Sequence, residues 1–259
     1  MQAIGDDILE IWIVALPRNP SIVDTLAESL SQDELARGQR FLRASDGAAF
    51  RAQRGALRHI LGSYTGQAPA QLAFVADTSG KPSLLGPHSA TLQFNISHSA
   101  DRLMIGLARR AAIGVDIEAV RFDIDAITLS SRVLAPGERS HLNRATCPVV
   151  RTARFFEFWT QKEAVVKALG TGLAWPLDAF NVMAAIENDR GAWVAVPGAS
   201  PERLFVRGIA VEDGFAAAVA SSAPVPITVR RIESNFTGWT DPAALKALVR
   251  THLAAPCLA

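Results

Sequence analysis

The sequence predicts an α+β chain of two lobes with a cleft between them. Three observations point there. The order strand, helix, helix, strands occurs twice, with a seam near residues 109–112. The chain has 259 residues, 49% apolar and 20% charged, enough to bury a core in one large domain or two of about 130 residues. No low-complexity linker interrupts it, and no residue-level repeat relates the halves. The expected bounds are 1–110 for an N-terminal lobe, 111–221 for a second lobe and 222–259 for a C-terminal extension packed against a lobe.

Each element rests on local pattern. Leu9 to Leu16 reads as a buried strand, broken only by Glu10. It is too short to span a membrane, and Asp6 and Asp7 stand where a signal peptide carries positive charge. The chain is read as cytosolic. Ser31-Gln32-Asp33-Glu34 has the spacing of a capping box that opens a helix. Asp46 to Tyr64 is a second helix, with Phe50, Leu57, Ile60 and Leu61 on one face and Arg51, Arg54 and Arg58 on another. Arg54 and Arg58 are read as a solvated face. Thr78-Ser79-Gly80-Lys81-Pro82 is a turn. Leu92 to Ile96, Leu103 to Ala108 and Ile113 to Ile117 are strands. Arg151 to Leu169 is the longest helical pattern, stopped by Gly170-Thr171-Gly172 and Pro176. Phe180 to Ile186, Trp193 to Val196, Leu204 to Ala210 and Phe215 to Ala220 follow as strands. Asp241-Pro242 opens a last helix to about Leu253.

Composition excludes whole classes of function. It is not that of a disordered, collagen-like or coiled-coil chain. Cys147 and Cys257 are far apart and in no metal-ligand spacing, so neither a disulfide framework nor a cysteine metal site is expected. A net charge of +1 argues against a generic nucleic-acid binder. The charge is uneven, however. Arg37 to Arg58 holds six arginines against Asp46 alone. Of only four lysines, Lys81, Lys162 and Lys167 fall in the segments that carry the chemistry.

Three such segments stand out. Phe94-Asn95-Ile96-Ser97-His98-Ser99 crowds polar groups at the end of a strand. Ser97 and His98 can donate to phosphate oxygens and Asn95 can fix a turn, or the group simply turns the chain. In Ile113-Gly114-Val115-Asp116-Ile117-Glu118, Asp116 and Glu118 lie two apart and share a strand face. Two adjacent carboxylates repel unless a cation lies between them, and hard oxygen ligands suit Mg²⁺. The alternative is a solvent-facing acidic strand end. In Trp159 to Lys167, Glu163 and Lys167 share a helical face, which alone is an ordinary surface pair.

Together these segments, with Gly80-Lys81-Pro82, Trp159-x-x-Lys162-Glu163-Ala164-x-x-Lys167-x-x-Gly170-x-Gly172 and Pro176-Leu177-Asp178-x-Phe180, resemble the 4′-phosphopantetheinyl transferase superfamily, specifically its surfactin-synthetase-activating group. The resemblance covers residues about 35–180. It implies two similar α/β lobes related by a pseudo-twofold axis, with coenzyme A between them. It implies transfer of phosphopantetheine from coenzyme A to a serine of an apo acyl or peptidyl carrier protein, releasing adenosine 3′,5′-bisphosphate. Asp116, Glu118 and Glu163 are implied to hold Mg²⁺, and Glu163 to act as general base, directly or through water. Lys167 is implied to neutralise phosphate charge, Lys81 and His98 to contact phosphates, and Ser97 and Pro82 to line the nucleotide site. Arg51 matches the arginine that meets the 3′-phosphate, and Lys162 adds charge nearby. Arg37 and Arg40 fall at basic positions, and Glu34 stands where the family can carry lysine.

These residue types suit the reaction. Serine needs a positioned base, and phosphoryl transfer depends on orientation and charge stabilisation. The carrier is expected to be an acidic helical bundle, docking on Gly170 to Phe180 through Leu173 and Trp175, although Trp175 suits a buried role equally well. The enzyme is expected to be monomeric, with no membrane or nucleic-acid partner. Two other readings remain: a Mg²⁺-dependent diphosphate hydrolase, which would consume coenzyme A without a carrier, and a catalytically silent coenzyme A or carrier binder, which should have lost a carboxylate or Lys167.

Overall fold

The computed structural model describes residues 9–76, 80–171, 175–224 and 226–250. The chain opens with β1 (Leu9–Ala15), α1 (Pro20–Ala27), α2 (Gln32–Gln39) and α3 (Ala44–Thr65). Then come β2 (Phe74–Ala76), β3 (Pro82–Leu84), β4 (Gln93–Ser99) and β5 (Arg102–Ala108). The second half runs β6 (Ile113–Ala119), α4 (Ala126–Val133), α5 (Pro136–Asn143), α6 (Pro148–Leu169), α7 (Met183–Ile186), β7 (Ala192–Ala195), β8 (Arg203–Gly208) and β9 (Phe215–Ser221). β10 (Ile227–Ile232) and α8 (Pro242–Arg250) close it.

Two four-stranded sheets organise these elements, one ordered β10-β1-β5-β4 and the other β6-β9-β8-β7; β2 and β3 form a separate ribbon. In each main sheet the strand that opens the half pairs antiparallel with the strand that closes it, β1 with β5 and β6 with β9. β10 adds to the outside of β1 in parallel. Trp239 and Leu245 sink into the first core, so the last described segment is built into the first sheet and its helices.

Alternation along the strands builds the layers. One face of β1 and β5 (Trp12, Val14, Leu103, Ile105) packs on Leu57, Ile60 and Leu61 of α3. The opposite face (Leu9, Ile11, Ile13, Met104) meets Ile113, Val115, Ile117, Ala217 and Val219 of the other sheet. The far face of that sheet packs on α6 through Phe158, Val165, Leu204, Val206 and Ala218. The layering is helix, sheet, sheet, helix.

Several expectations hold and some need correction. Ser31 accepts from Glu34 N while Glu34 accepts from Ser31 N, a complete capping box. α3 and α6 extend beyond the expected starts and are both 22 residues long. Phe180 to Ile186 is not a strand. Phe180 is buried in the second core, Asn181 Oδ1 accepts from Met183 N, and residues 183–186 turn into α7. Arg54 and Arg58 do not form a solvated face. Both grip Glu34, and Arg58, 2% exposed, also donates to the carbonyls of Pro69 and Leu72. Part of the Thr78–Pro82 turn, Gly172, Leu173 and everything after Arg250 lie outside the described residues.

Candidate active site

The site lies where β4 of the first sheet meets β6 and α6 of the second. Asp116 and Glu118 stand on one face of β6, with Gly114 two residues before them. α6 crosses this face so closely that a Cβ on Gly114 would lie 2.0 Å from the Ala164 carbonyl oxygen. A bare position there lets the helix backbone rest on the strand. The helix then delivers Glu163 and Lys167, one turn apart, beside the strand carboxylates.

Polar contacts bind the three elements. Lys167 Nζ donates to Asp116 Oδ1 at 2.6 Å and to Ser97 Oγ at 3.0 Å. Ser97 Oγ donates to the same Asp116 oxygen at 2.8 Å. Ser99 Oγ donates to Glu118 Oε2 at 2.7 Å. Asp116 is 2% exposed. Its Oδ2 and Glu163 Oε1 are buried with no hydrogen-bond donor.

Charge is out of balance here. Burial, then the charges of Asp116 and Glu118, push the Glu163 carboxyl up to about 7 against the pull of Lys167. Burial, with the Asp116 charge added, raises Glu118 although the Ser99 hydrogen bond opposes it. Desolvation and then the Lys167 ammonium press the His98 imidazole below its ordinary value.

Among the described residues no three His, Cys, Asp or Glu side chains are closed into a metal-coordinating cluster. The donor set nonetheless suits a hard divalent cation. Two buried carboxylate oxygens lack donors, and the neighbouring acids repel one another.

The other expected residues are placed as follows. His98 follows Ser97 near the end of β4, exposed yet close enough for the Lys167 ammonium to act on it. Lys81 Nζ donates to the carbonyls of Ile113 at 3.2 Å and Lys167 at 2.7 Å, tying the loop before β3 to β6 and α6. Pro82 opens β3 and is half-buried. Arg51, half-exposed on α3, pairs with Asp24 of α1 at 3.2 Å. Arg37 and Arg40 are exposed, with Arg37 over the Phe50 ring. Trp175 is half-buried against the second core, its Nε1 enclosed without a partner.

Lys162 is a correction. It is wholly enclosed and pairs with Glu138 Oε2 at 2.8 Å. It also donates to the carbonyls of Leu177 and Phe180 at 2.8 and 2.7 Å. An ammonium has three donors and all are spent, so it adds no charge to the site. Its position follows from helix periodicity: Glu163 faces β6 while Lys162 turns away. Sequence reasoning missed Glu138, which offered only a proline-led helix start at Pro136. It misread Asn95, which fixes no turn but accepts from Val115 N at 2.8 Å.

Comparison with known proteins identifies the family. The model of the 4′-phosphopantetheinyl transferase superfamily matches residues 112–220, the span holding β6, α6 and β9. The 4′-phosphopantetheinyl transferase HetI of Nostoc sp. is 38% identical over 170 residues, 65% of this chain and 71% of that protein. A 4′-phosphopantetheinyl transferase of Bacillus subtilis is 28% identical over 201 residues, 78% of this chain and 86% of that one. With β6 and α6, which present the acids and Lys167, both inside the matched span, the chain belongs to the 4′-phosphopantetheinyl transferase superfamily and is an enzyme of that class.

Proposed function

We propose that this enzyme transfers the 4′-phosphopantetheine of coenzyme A to a serine of an apo acyl or peptidyl carrier protein, with Mg²⁺ required and adenosine 3′,5′-bisphosphate released. The observation that carries this reading is the pair of buried, donorless oxygens, Asp116 Oδ2 and Glu163 Oε1, beside Lys167. Asp116, Glu118 and Glu163 would hold the Mg²⁺. When bound, the ion draws negative charge off the diphosphate and assists the leaving phosphate.

The chain's own residues supply the rest. Glu163 takes the serine proton, directly or through water. The serine oxygen forms the new bond to the β-phosphorus, and the bond from that phosphorus to the bridging oxygen breaks. Lys167 stabilises charge on the phosphoryl oxygens. Ser97, His98 and Pro82 line the nucleotide site, and Arg51 takes the 3′-phosphate by exchanging its exposed partner Asp24. Lys81 acts near the phosphates while its ammonium holds two backbone carbonyls.

The two sheet-and-helix halves are read as lobes related by a pseudo-twofold axis, bounded at 110 and 221, in a cytosolic monomer. The carrier surface extends past Gly170 to Phe180. Phe122 after β6, Ile127 on α4 and Val149 and Val150 in the first turn of α6 are exposed, with Arg121 close enough to act on Glu118 and Arg151 on Asp125. Apolar and basic groups mixed in this way fit an acidic helical partner.

Intact-mass spectrometry of an apo carrier incubated with enzyme, coenzyme A and Mg²⁺ tests the proposal. A gain of one phosphopantetheine, abolished by chelator, is expected. Carrier-independent breakdown of coenzyme A would overturn it in favour of a hydrolase. No gain on fatty-acid, polyketide and peptide-synthetase carriers, with coenzyme A intact, would overturn it in favour of a binding protein.

A further inference from the structure

β4 and β6 are both edge strands of their sheets, and no main-chain ladder joins them. Side chains of β4 take the place of that ladder. Asn95 Oδ1 accepts from Val115 N at 2.8 Å, and Ser99 Oγ accepts from Ala119 N at 3.0 Å. Between these two anchors lie Asp116 and Glu118. Ser97 Oγ donates to Asp116 Oδ1, and Ser99 Oγ donates to Glu118 Oε2. One alternating row, Asn95, Ser97 and Ser99, therefore holds both the backbone of β6 and its two acids.

The close approach has its own cause. Gly106 of β5 lies opposite Asn95, and a Cβ there would sit 2.5 Å from Val115 Cγ1. A bare position lets Val115 settle onto β5 and brings its N–H to Asn95. Register matters because side chains alternate. A slip of one residue would turn Asp116 and Glu118 to the opposite face.

We propose that Ser99 is a positioning residue for Glu118: by accepting from Ala119 N and donating to Glu118 Oε2, its hydroxyl fixes the rotamer that turns the other carboxylate oxygen toward the divalent cation. The proposal rests on the cation reading above. With the Ser99 oxygen held by a backbone N–H, its proton is aimed at the carboxylate, so the hydroxyl stabilises the ligand in place. Residues that orient metal ligands in this way typically change metal affinity by about 10- to 100-fold when removed.

The test is direct Mn²⁺ binding, read from the electron paramagnetic resonance signal of free Mn²⁺, on wild type, Ser99→Ala, Ser99→Thr, Glu118→Gln and the Ser99→Ala/Glu118→Gln double variant, each checked for folding by circular dichroism. Ser99→Ala should weaken Mn²⁺ binding by about tenfold, and Ser99→Thr should restore it to within about twofold, since threonine keeps the hydroxyl. In the Glu118→Gln background, Ser99→Ala should change Mn²⁺ affinity no further; a purely structural serine would still weaken it there. Wild-type affinity in a folded Ser99→Ala protein, or an equal loss in both backgrounds, overturns the role of Ser99. A wild-type protein that takes up no Mn²⁺ overturns the cation reading itself, before any variant is considered.

Discussion

β1 and β6 each open a half of the molecule, and each carries buried acid, but the two strands treat it in opposite ways. On β1, Glu10 is 5% exposed, and its Oε2 accepts from Arg230 Nε and from Tyr64 OH, both at 2.6 Å. Trp12 Nε1 donates to the same Tyr64 oxygen. The result is a closed network joining β1, α3 and β10. On β6, Asp116 has one oxygen held by Lys167 and Ser97 and the other with no donor, and Glu163 beside it is equally short. A buried charge with every partner supplied is architecture. A buried charge left short of donors, held at a cost to the fold, marks a place kept for something the chain does not itself contain.

α6 shows the same contrast within five residues. Lys162 is spent wholly on Glu138 and two carbonyls, whereas Lys167 is part-exposed beside the acids. Lys162→Met should therefore produce the largest loss of stability. It strands Glu138 as a buried anion, and breaking such a pair costs about 3–5 kcal/mol. Urea unfolding reads this directly. Glu138→Gln added to Lys162→Met should recover part of the loss. A cost below about 1 kcal/mol for the single variant would erase the contrast between the two lysines.

Glu163→Gln should separate the two kinds of acid most sharply. Carrier modification should fall at least about 100-fold, from loss of base and metal ligand. Stability in chelator at pH 8 should rise by about 1 kcal/mol, because the fold holds this carboxyl near 7 against an ordinary 4.5 and its ionisation is therefore unfavourable there; the figure is discounted for partial exposure. Thermal melts and the mass assay measure both. A variant that is inactive and also much less stable would make Glu163 a structural acid like Glu10.

Gly114→Ala comes next. The added methyl meets the backbone of Ala164, Lys167 and Ala168, none of which can swing aside as a side chain would. Overpacking of this kind costs about 1–3 kcal/mol. Moving α6 off β6 should lower turnover at least about tenfold, since misplacing catalytic groups by about 1 Å is that expensive. Equal loss of stability with turnover intact would show that the closeness of helix and strand serves packing only.

How much of this was legible depends on where the information lies. The acids of β6 and the Glu163–Lys167 pair were readable because strand and helix periods dictate which residues share a face. α1, α4 and α5 went unread although their starts carried ordinary signals: Asn19 accepting from Ser21 N before Pro20, Asp125 accepting from Ile127 N and Thr128 N, and Pro136 with Glu138 reaching back to Ala135 N. Lys162 and Arg58 were misread. Burial of a long cation is decided by partners far away in sequence, Glu138 for one and Glu34, Pro69 and Leu72 for the other. The Phe180–Ile186 segment reads as strand by composition, but Glu138 Oε1 accepts from Val182 N and Asn181 caps the turn that follows.

The smallest net effect on the native enzyme lies in pH dependence, where two opposed groups partly cancel, and it too follows the contrast between satisfied and unsatisfied groups. His59 on α3 is buried against Trp239, and burial holds its imidazole at about 4, with a hydrogen bond to the Trp239 backbone in opposition. Its folded value lies below the unfolded 6.5, so the stability it contributes is complete above 6.5 and is lost as pH falls toward 4. Between pH 7.5 and 5 that loss is about 2 kcal/mol. Glu163 has the opposite sign, because its raised carboxyl stabilises the fold as pH falls from 7 toward 4.5. The two partly cancel in the native enzyme, and variants separate them. In chelator, Glu163→Gln should lose stability more steeply on acidification than wild type, and His59→Gln less steeply. Parallel stability profiles for wild type and His59→Gln across pH 7.5 to 5 would mean that the segment carrying Trp239 does not bury His59 as a neutral ring, and that the C-terminal strand and helix are held to the first sheet by Glu10, Arg230 and Tyr64 without it.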